Sequence, residues 1–145
     1  MPAATKKYIL YAEDDVDDQD FLRETLSHLA SELELVCVSN GLELVQFLDA
    51  LQPEDYYPCF IILDVNMPVW DGIKTLQAIK SHREWNSLSV VMFTTSNGKK
   101  DGELAIREGA AEFITKPIND ADLKRVTERF ASYCLRQPER KKQRA

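Results

Sequence analysis

Short apolar runs in this chain end in acid. Tyr8-Ile9-Leu10-Tyr11-Ala12 leads into Glu13-Asp14-Asp15, and Phe60-Ile61-Ile62-Leu63 leads into Asp64-Val65-Asn66-Met67-Pro68. Another run, Val90-Val91-Met92-Phe93, ends in Thr94-Thr95-Ser96, and Ala111-Glu112-Phe113-Ile114-Thr115 ends in Lys116-Pro117. Short β-prone runs bounded by turn residues read as buried strands of a parallel sheet. Their carboxyl ends form the edge where open α/β folds bind ligands. Glu13, Asp14 and Asp64 gathered there would repel one another unless a cation neutralised them. Hard carboxylate oxygens suit Mg2+, which keeps waters and takes one or two carboxylates plus a phosphate. The Thr94 hydroxyl and the Lys116 ammonium complete a site for a phosphoryl group.

The elements that must position these groups follow from hydrophobic period. Asp17 and Asp18 are helix-start residues, and Phe21, Leu22, Thr25, Leu26 and Leu29 recur after them at helical spacing. Leu33 to Val38 reads as a strand closed by Ser39-Asn40-Gly41, and Leu42, Leu44, Val45, Leu48 and Leu51 mark a second helix. Gln52 to Pro58 is a loop. Asp71-Gly72 opens a third helix with Ile73, Leu76 and Ile79 inward, and His82 to Leu88 is a loop containing Trp85. Asn97-Gly98-Lys99-Lys100 is a loop before a short helix that Gly109 ends. The last helix starts near Asn119-Asp120, carries Leu123, Val126, Phe130 and Cys134 on one stripe, and stops by Pro138. Five strands alternating with five helices predict an α/β sandwich, its parallel sheet covered on both faces.

The chain's 145 residues suffice for one domain with a proper core, and 44% apolar and 29% charged residues are ordinary for a globular protein. Cys37, Cys59 and Cys134 lack metal-ligand spacing and read as small buried hydrophobes in a reducing cytosol. No apolar stretch reaches the roughly 18 residues a membrane span requires, so a cytoplasmic protein without a membrane partner is expected. The last ten residues carry Arg136, Arg140, Lys141, Lys142 and Arg144 against Glu139, whereas the whole chain has a net charge of −6. The body is therefore acidic and disfavours nucleic acid. The basic tail, 136–145, reads as a solvated, frayed end.

In combination these residues resemble the response-regulator receiver domain of two-component signalling. The resemblance rests on Glu13-Asp14, on Asp64 with Met67-Pro68 and Asp71-Gly72, on Thr94, and on Lys116-Pro117, all in the family's order. It places a receiver at 7–135, after an N-terminal extension of residues 1–6. It implies the flavodoxin-like (βα)5 three-layer fold with strand order 2-1-3-4-5. It also implies that Asp64 is the phosphoacceptor and that Mg2+ is bound by Asp14, Asp64 and the backbone carbonyl of Asn66, and through water by Glu13. Lys116 and Thr94 would bond the phosphoryl oxygens, with a cis Pro117 aiming the lysine. Asp15 matches no required position.

Thr95 stands where the family usually has a small residue, and Phe113 takes the place of its switch aromatic. Read without the resemblance, Phe113 is a plain core residue. A sensor histidine kinase is the implied phosphodonor. The loops before Pro58 and around Trp85 resemble stand-alone receivers paired with phytochrome-type sensors. The face of the fourth helix, fifth strand and fifth helix is the implied surface for partners or a second copy. If the chain is complete, it is a stand-alone receiver that catalyses only its own phosphorylation and dephosphorylation.

Two other functions use similar residues. A haloacid-dehalogenase-type phosphatase also has a strand-end Asp, Mg2+, Thr or Ser, and Lys. It needs a second Asp two residues after the nucleophile as general acid, and position 66 is Asn. An inactive receiver kept as a scaffold would not be expected to retain Glu13, Asp14, Asp64, Thr94 and Lys116 together.

Overall fold

Strand and helix alternate along the chain as β1 (Tyr8–Ala12), α1 (Val16–Leu29), β2 (Glu34–Val38), α2 (Gly41–Ala50), β3 (Phe60–Leu63), α3 (Gly72–Ser81), β4 (Val90–Thr94), α4 (Lys99–Arg107), β5 (Glu112–Thr115) and α5 (Asp120–Arg136). The computed structural model describes residues 7–95 and 98–142. Ser96, at the end of the run from Val90, and Asn97, read above as loop, lie outside the described residues, as do the extension 1–6 and residues 143–145. The strands form one parallel sheet in the order β2-β1-β3-β4-β5.

Alternate residues of a strand face opposite sides of the sheet. Leu10, Ala12, Ile61, Leu63, Val90 and Met92 pack with Leu44, Leu48, Leu76 and Ile79 of α2 and α3. Ile9, Tyr11, Phe60, Ile62, Val91 and Phe93 pack with Leu22 and Leu26 of α1 and with Phe130 and Ala131 of α5. Each of the Val, Leu, Ile, Phe and Met side chains among them, fully buried, stabilises the fold by about 1.5–3 kcal/mol over its exposed state. The sheet is thus held from both faces, and its strand ends carry the chemistry.

Register lines those ends up. Ala12 pairs with Leu63, so Glu13 and Asp64 leave neighbouring strands at one level, and the Asp64 amide donates to Ala12 O at 3.2 Å. Thr94 pairs with Thr115, and the Lys116 amide donates to Thr94 O at 2.7 Å. Helix starts are capped by Asp15, Asn40, Asp71 and Asn119, whose side chains accept backbone N–H groups. Asp15 therefore has a structural role: its Oδ1 accepts from the Asp17 amide at 2.9 Å, moving the start of α1 ahead of Asp17 and Asp18.

Three expectations are corrected. Cys59 and Cys134 are joined in a disulfide with Cα atoms 5.3 Å apart, leaving Cys37 as the free cysteine among the described residues. Cys59 immediately precedes β3, and the C-terminal end of α5 crosses that end of the sheet, a proximity only the tertiary fold creates. The tail is docked as far as Lys142. The Tyr57 amide donates to Arg140 O, the Lys142 amide donates to Asp55 O, and the Arg140 guanidinium lies 4.8 Å from the centre of the Tyr57 ring. Aromatic faces and backbone carbonyls in the α2–β3 loop give these cations partners that a frayed end lacks. The Lys116–Pro117 bond is trans, since no cis peptide occurs among the described residues. Trans is the lower-energy form of an X–Pro bond, and β5 register together with the carboxylates around Lys116 aims the lysine instead.

Candidate functional site

The carboxyl ends of β1, β3, β4 and β5 bring Glu13, Asp14, Asp64, Thr94 and Lys116 together. One carboxylate oxygen from each of Glu13, Asp14 and Asp64 lies within 4.8 Å of the others, with Asp14 exposed and the other two buried. Lys116 Nζ donates to Glu13 Oε1, to Asp64 Oδ2 at 3.1 Å and to Asp18 Oδ2 at 2.8 Å. The Asn66 amide donates to Asp64 Oδ1 at 3.1 Å, and the buried Thr94 side chain hydrogen-bonds the same carboxylate. Asn66 thus reaches the site through its N–H, with no acid at that position.

Glu13 is fixed from several directions. Its Oε1 accepts from the Tyr11 hydroxyl at 3.2 Å, and its Oε2 accepts from the Asp15 amide at 3.0 Å. Tyr11, Asp15 and Asp18 all contribute where sequence reasoning assigned no site role. Asp18 was legible only as a helix-start acid. Tyr11 carried a weak signal, as a hydroxyl two residues before Glu13 on a strand otherwise apolar.

Burial and neighbouring charge work against each other here. Burial alone would raise the Asp64 carboxyl, but hydrogen bonds from Thr94 and Glu13, the Lys116 charge and the Asn66 amide together hold it below its usual range. Burial pushes Glu13 up to about 7, despite opposition from Lys116 and the Asp15 amide, and its hydrogen bond to Asp64 pushes the same way. Burial would lower the Lys116 ammonium, yet Asp18, Glu13 and Asp64 raise it overall. The pattern is an ionised strand-end carboxylate beside a cation.

Backbone close approach shapes the wall. The Gly72 amide donates to Val65 O at 2.9 Å, and a Cβ on Gly72 would lie 2.1 Å from Asp64 O. The glycine is required for that contact more than for the turn itself. Val69, in the β3–α3 loop, has φ 69°, an uncommon conformation for a β-branched residue. Beside Lys116, a cleft of about 280 Å³ is lined by Tyr11, Asp18, Phe21, Thr95 and Ile118, with Thr95 exposed on it. Phe113 pairs in register with Met92 and packs, partly buried, in the layer of α2 and α3. Thr94 lies two residues beyond Met92, so it faces the same side of the sheet.

A five-stranded parallel sheet in this order, with acids, threonine and lysine at its strand ends, defines a class of phosphoryl-handling α/β domains. The response regulator receiver domain family matches residues 9–128, and the chain belongs to that family. It is therefore a receiver of the kind found in two-component response regulators.

The response regulator Rcp1 of Synechocystis sp. is 30% identical over 133 residues, covering 89% of this chain and 89% of Rcp1. The Mn2+-bound structure of Rcp1 superimposes with a TM-score of 0.79 at 28% identity, covering 91% of this chain and 99% of that one. The phosphorylated cyanobacterial phytochrome response regulator RcpA gives a TM-score of 0.81 at 27% identity, covering 91% and 96%. Protein-glutamate methylesterases of Methanococcoides burtonii and Geobacillus kaustophilus also match, but the chain spans only 31% and 30% of their lengths. Among the described residues, no helix is long and apolar enough to cross a membrane.

Proposed function

We propose that this receiver is a phosphoacceptor switch in which Asp64 takes a phosphoryl group from the phosphohistidine of a sensor histidine kinase. The observation that carries the reading is convergence on one carboxylate: Lys116, Thr94 and the Asn66 amide all bond Asp64, and that carboxyl is held ionised. An Asp64 oxygen attacks phosphorus, the new O–P bond forms as the P–N bond to imidazole breaks, and the histidine leaves with the electron pair. Thr94 and Lys116 then bond the phosphoryl oxygens.

Glu13, Asp14, Asp64 and the Asn66 carbonyl would hold a divalent cation, and the hard oxygen set suits Mg2+. When bound, that ion offsets negative charge on the phosphoryl oxygens. The excess of acids over Lys116 fits such an ion. Rcp1, which has been seen with Mn2+, supports a divalent site of this type.

A protein donor is supported by the surface at the site. Phe21 and Ile118 on the cleft are exposed at 58% and 101%, apolar surface on the cleft that Lys116 also lines. Likeness to RcpA favours a phytochrome-type kinase as donor, and a receiver that meets such a kinase is read as cytoplasmic. Output follows from Thr94 moving toward the phosphoryl group and Phe113 repacking on the same side of the sheet. That movement would alter the face of α4, β5 and α5 read by a partner or a second copy. The chain itself is read as a phosphoacceptor, not as a methylesterase.

Acetyl phosphate with Mg2+ tests this reading by mass spectrometry. One added phosphoryl group is expected on the parent and none on Asp64→Asn. Equal labelling of both would place the acceptor elsewhere.

A further inference from the structure

Lys116 is saturated with acceptors. An ammonium has three N–H donors and no acceptor, and Glu13, Asp64 and Asp18 accept from this one. In the phosphoacceptor reading, on which this inference rests, two of those partners change. Asp64 would become an acyl phosphate, and Glu13 would be among the residues that hold the cation. Asp18 is the third residue of α1 and stands apart from the three acids whose oxygens cluster as candidate metal ligands. Its charge and its bond to Lys116 are the constants of the site.

We propose that Asp18 is a positioning residue for phosphoryl transfer, holding the Lys116 ammonium at the rim of the site while its other two contacts are exchanged for phosphoryl oxygens. The Asp18 side chain is 35% exposed and that of Lys116 10%, so the pair spans the boundary between solvent and the buried nucleophile. Both residues line the cleft that opens on Lys116. Lysine is a point charge on a flexible four-carbon stem, and a fixed carboxylate partner limits where that charge can go. A first-turn position on α1 suits the carboxylate, because the helix N-terminus favours negative charge. Without Asp18, the ammonium is held only by the two groups that must let it go.

The test compares Asp18→Ala and Asp18→Asn with the parent, each also in a Lys116→Ala background. The phosphorylation rate at saturating acetyl phosphate and Mg2+ should fall about tenfold in Asp18→Ala, a modest cost for a misplaced group. Asn, whose amide oxygen still accepts but carries no charge, should fall between Ala and the parent. Mg2+ affinity should not move. The Lys116 ammonium resonance in 15N NMR should be slow to exchange in the parent and broadened in Asp18→Ala. In the Lys116→Ala background, Asp18→Ala should have no further effect on rate, which a merely structural role would not produce. A phosphorylated parent indifferent to Asp18→Ala, or an equal loss with and without Lys116, overturns the role alone. A parent that takes no phosphoryl group overturns the phosphoacceptor reading together with it.

Discussion

Gly72 lies against the backbone of Asp64: a Cβ placed on it would sit 2.1 Å from the Asp64 carbonyl oxygen. The first residue of α3 thus touches the main chain of the candidate nucleophile, and the α3 N-terminus and the end of β3 form one rigid unit.

Substituting Gly72 should therefore damage both stability and chemistry. Gly72→Ala forces either Asp64 or α3 to move, and overpacking of this kind costs about 1–3 kcal/mol. Phosphorylation of Asp64 should slow as well, because the carboxylate shifts with its backbone. Gly102→Ala is the contrast. Its Cβ would meet the Phe113 ring at 3.6 Å, an ordinary contact, and alanine is favoured over glycine inside a helix by about 1 kcal/mol. Chemical denaturation of both variants should show opposite signs, and a stable Gly72→Ala would mean the contact is readily relieved.

Glu13 predicts a pH dependence of metal binding. Its carboxyl is raised from 4.5 to about 7, chiefly by burial. Between those values the folded, metal-free protein keeps a proton that the unfolded chain has lost. Its contribution to stability therefore falls as pH rises through that window. Asp64 is shifted downward, so its contribution is present above the ordinary carboxylate range and is lost at lower pH, outside this window. A cation held by Glu13 would need that carboxyl ionised, so Mg2+ affinity should climb as pH approaches 7, by up to about tenfold per unit, and level off above it. Calorimetric titration at pH 5.5, 6.5 and 7.5, as chosen test conditions, would read this directly. A flat profile would show Glu13 ionised throughout.

The disulfide predicts a redox-dependent stability. Cys59 and Cys134 are separated by 75 residues, and closing a loop of that size stabilises by about 4 kcal/mol on chain-entropy grounds. Oxidised protein should therefore unfold at higher denaturant than protein kept in a strong reductant. A Cys134→Ala variant should ignore the reductant. Identical midpoints for the parent under both conditions would show that the bond adds nothing.

Much of this was legible because strand chemistry is local. An apolar run followed at once by Glu13, Asp64, Thr94 or Lys116 states both the strand and the residue at its end. Parallel order then brings those ends to one edge. Asp18 was hidden because a first-turn acid already has an ordinary explanation in helix capping. The Cys59–Cys134 bond depends on α5 crossing the start of β3, which no spacing records. Docking of Arg140 on Tyr57 was likewise invisible, since a basic run after a helix carries no sign of the aromatic loop that receives it. Lys116 is placed by the β5 register and by the carboxylates it bonds, neither of which a Lys-Pro pair announces.

The covalent and tail restraints on α5 gather at one end, while Leu123 and Val126 toward its other end pack in the layer shared with α1. Near its C-terminal end are the Cys134 bridge, the Lys7 ammonium bonded to Leu135 O at 2.8 Å and the clasp of Arg140 and Lys142. Near its other end, the chain arrives straight from Lys116 and Pro117, with Ile118 fully exposed. A rod clamped at one end answers a push at the other by tilting about the clamp. Movement begun at Lys116 would then grow toward Asn119 and die away toward Cys134, and amide exchange along α5 should be graded in that sense. Under such a movement α5 would work as a lever with its fulcrum far from Lys116.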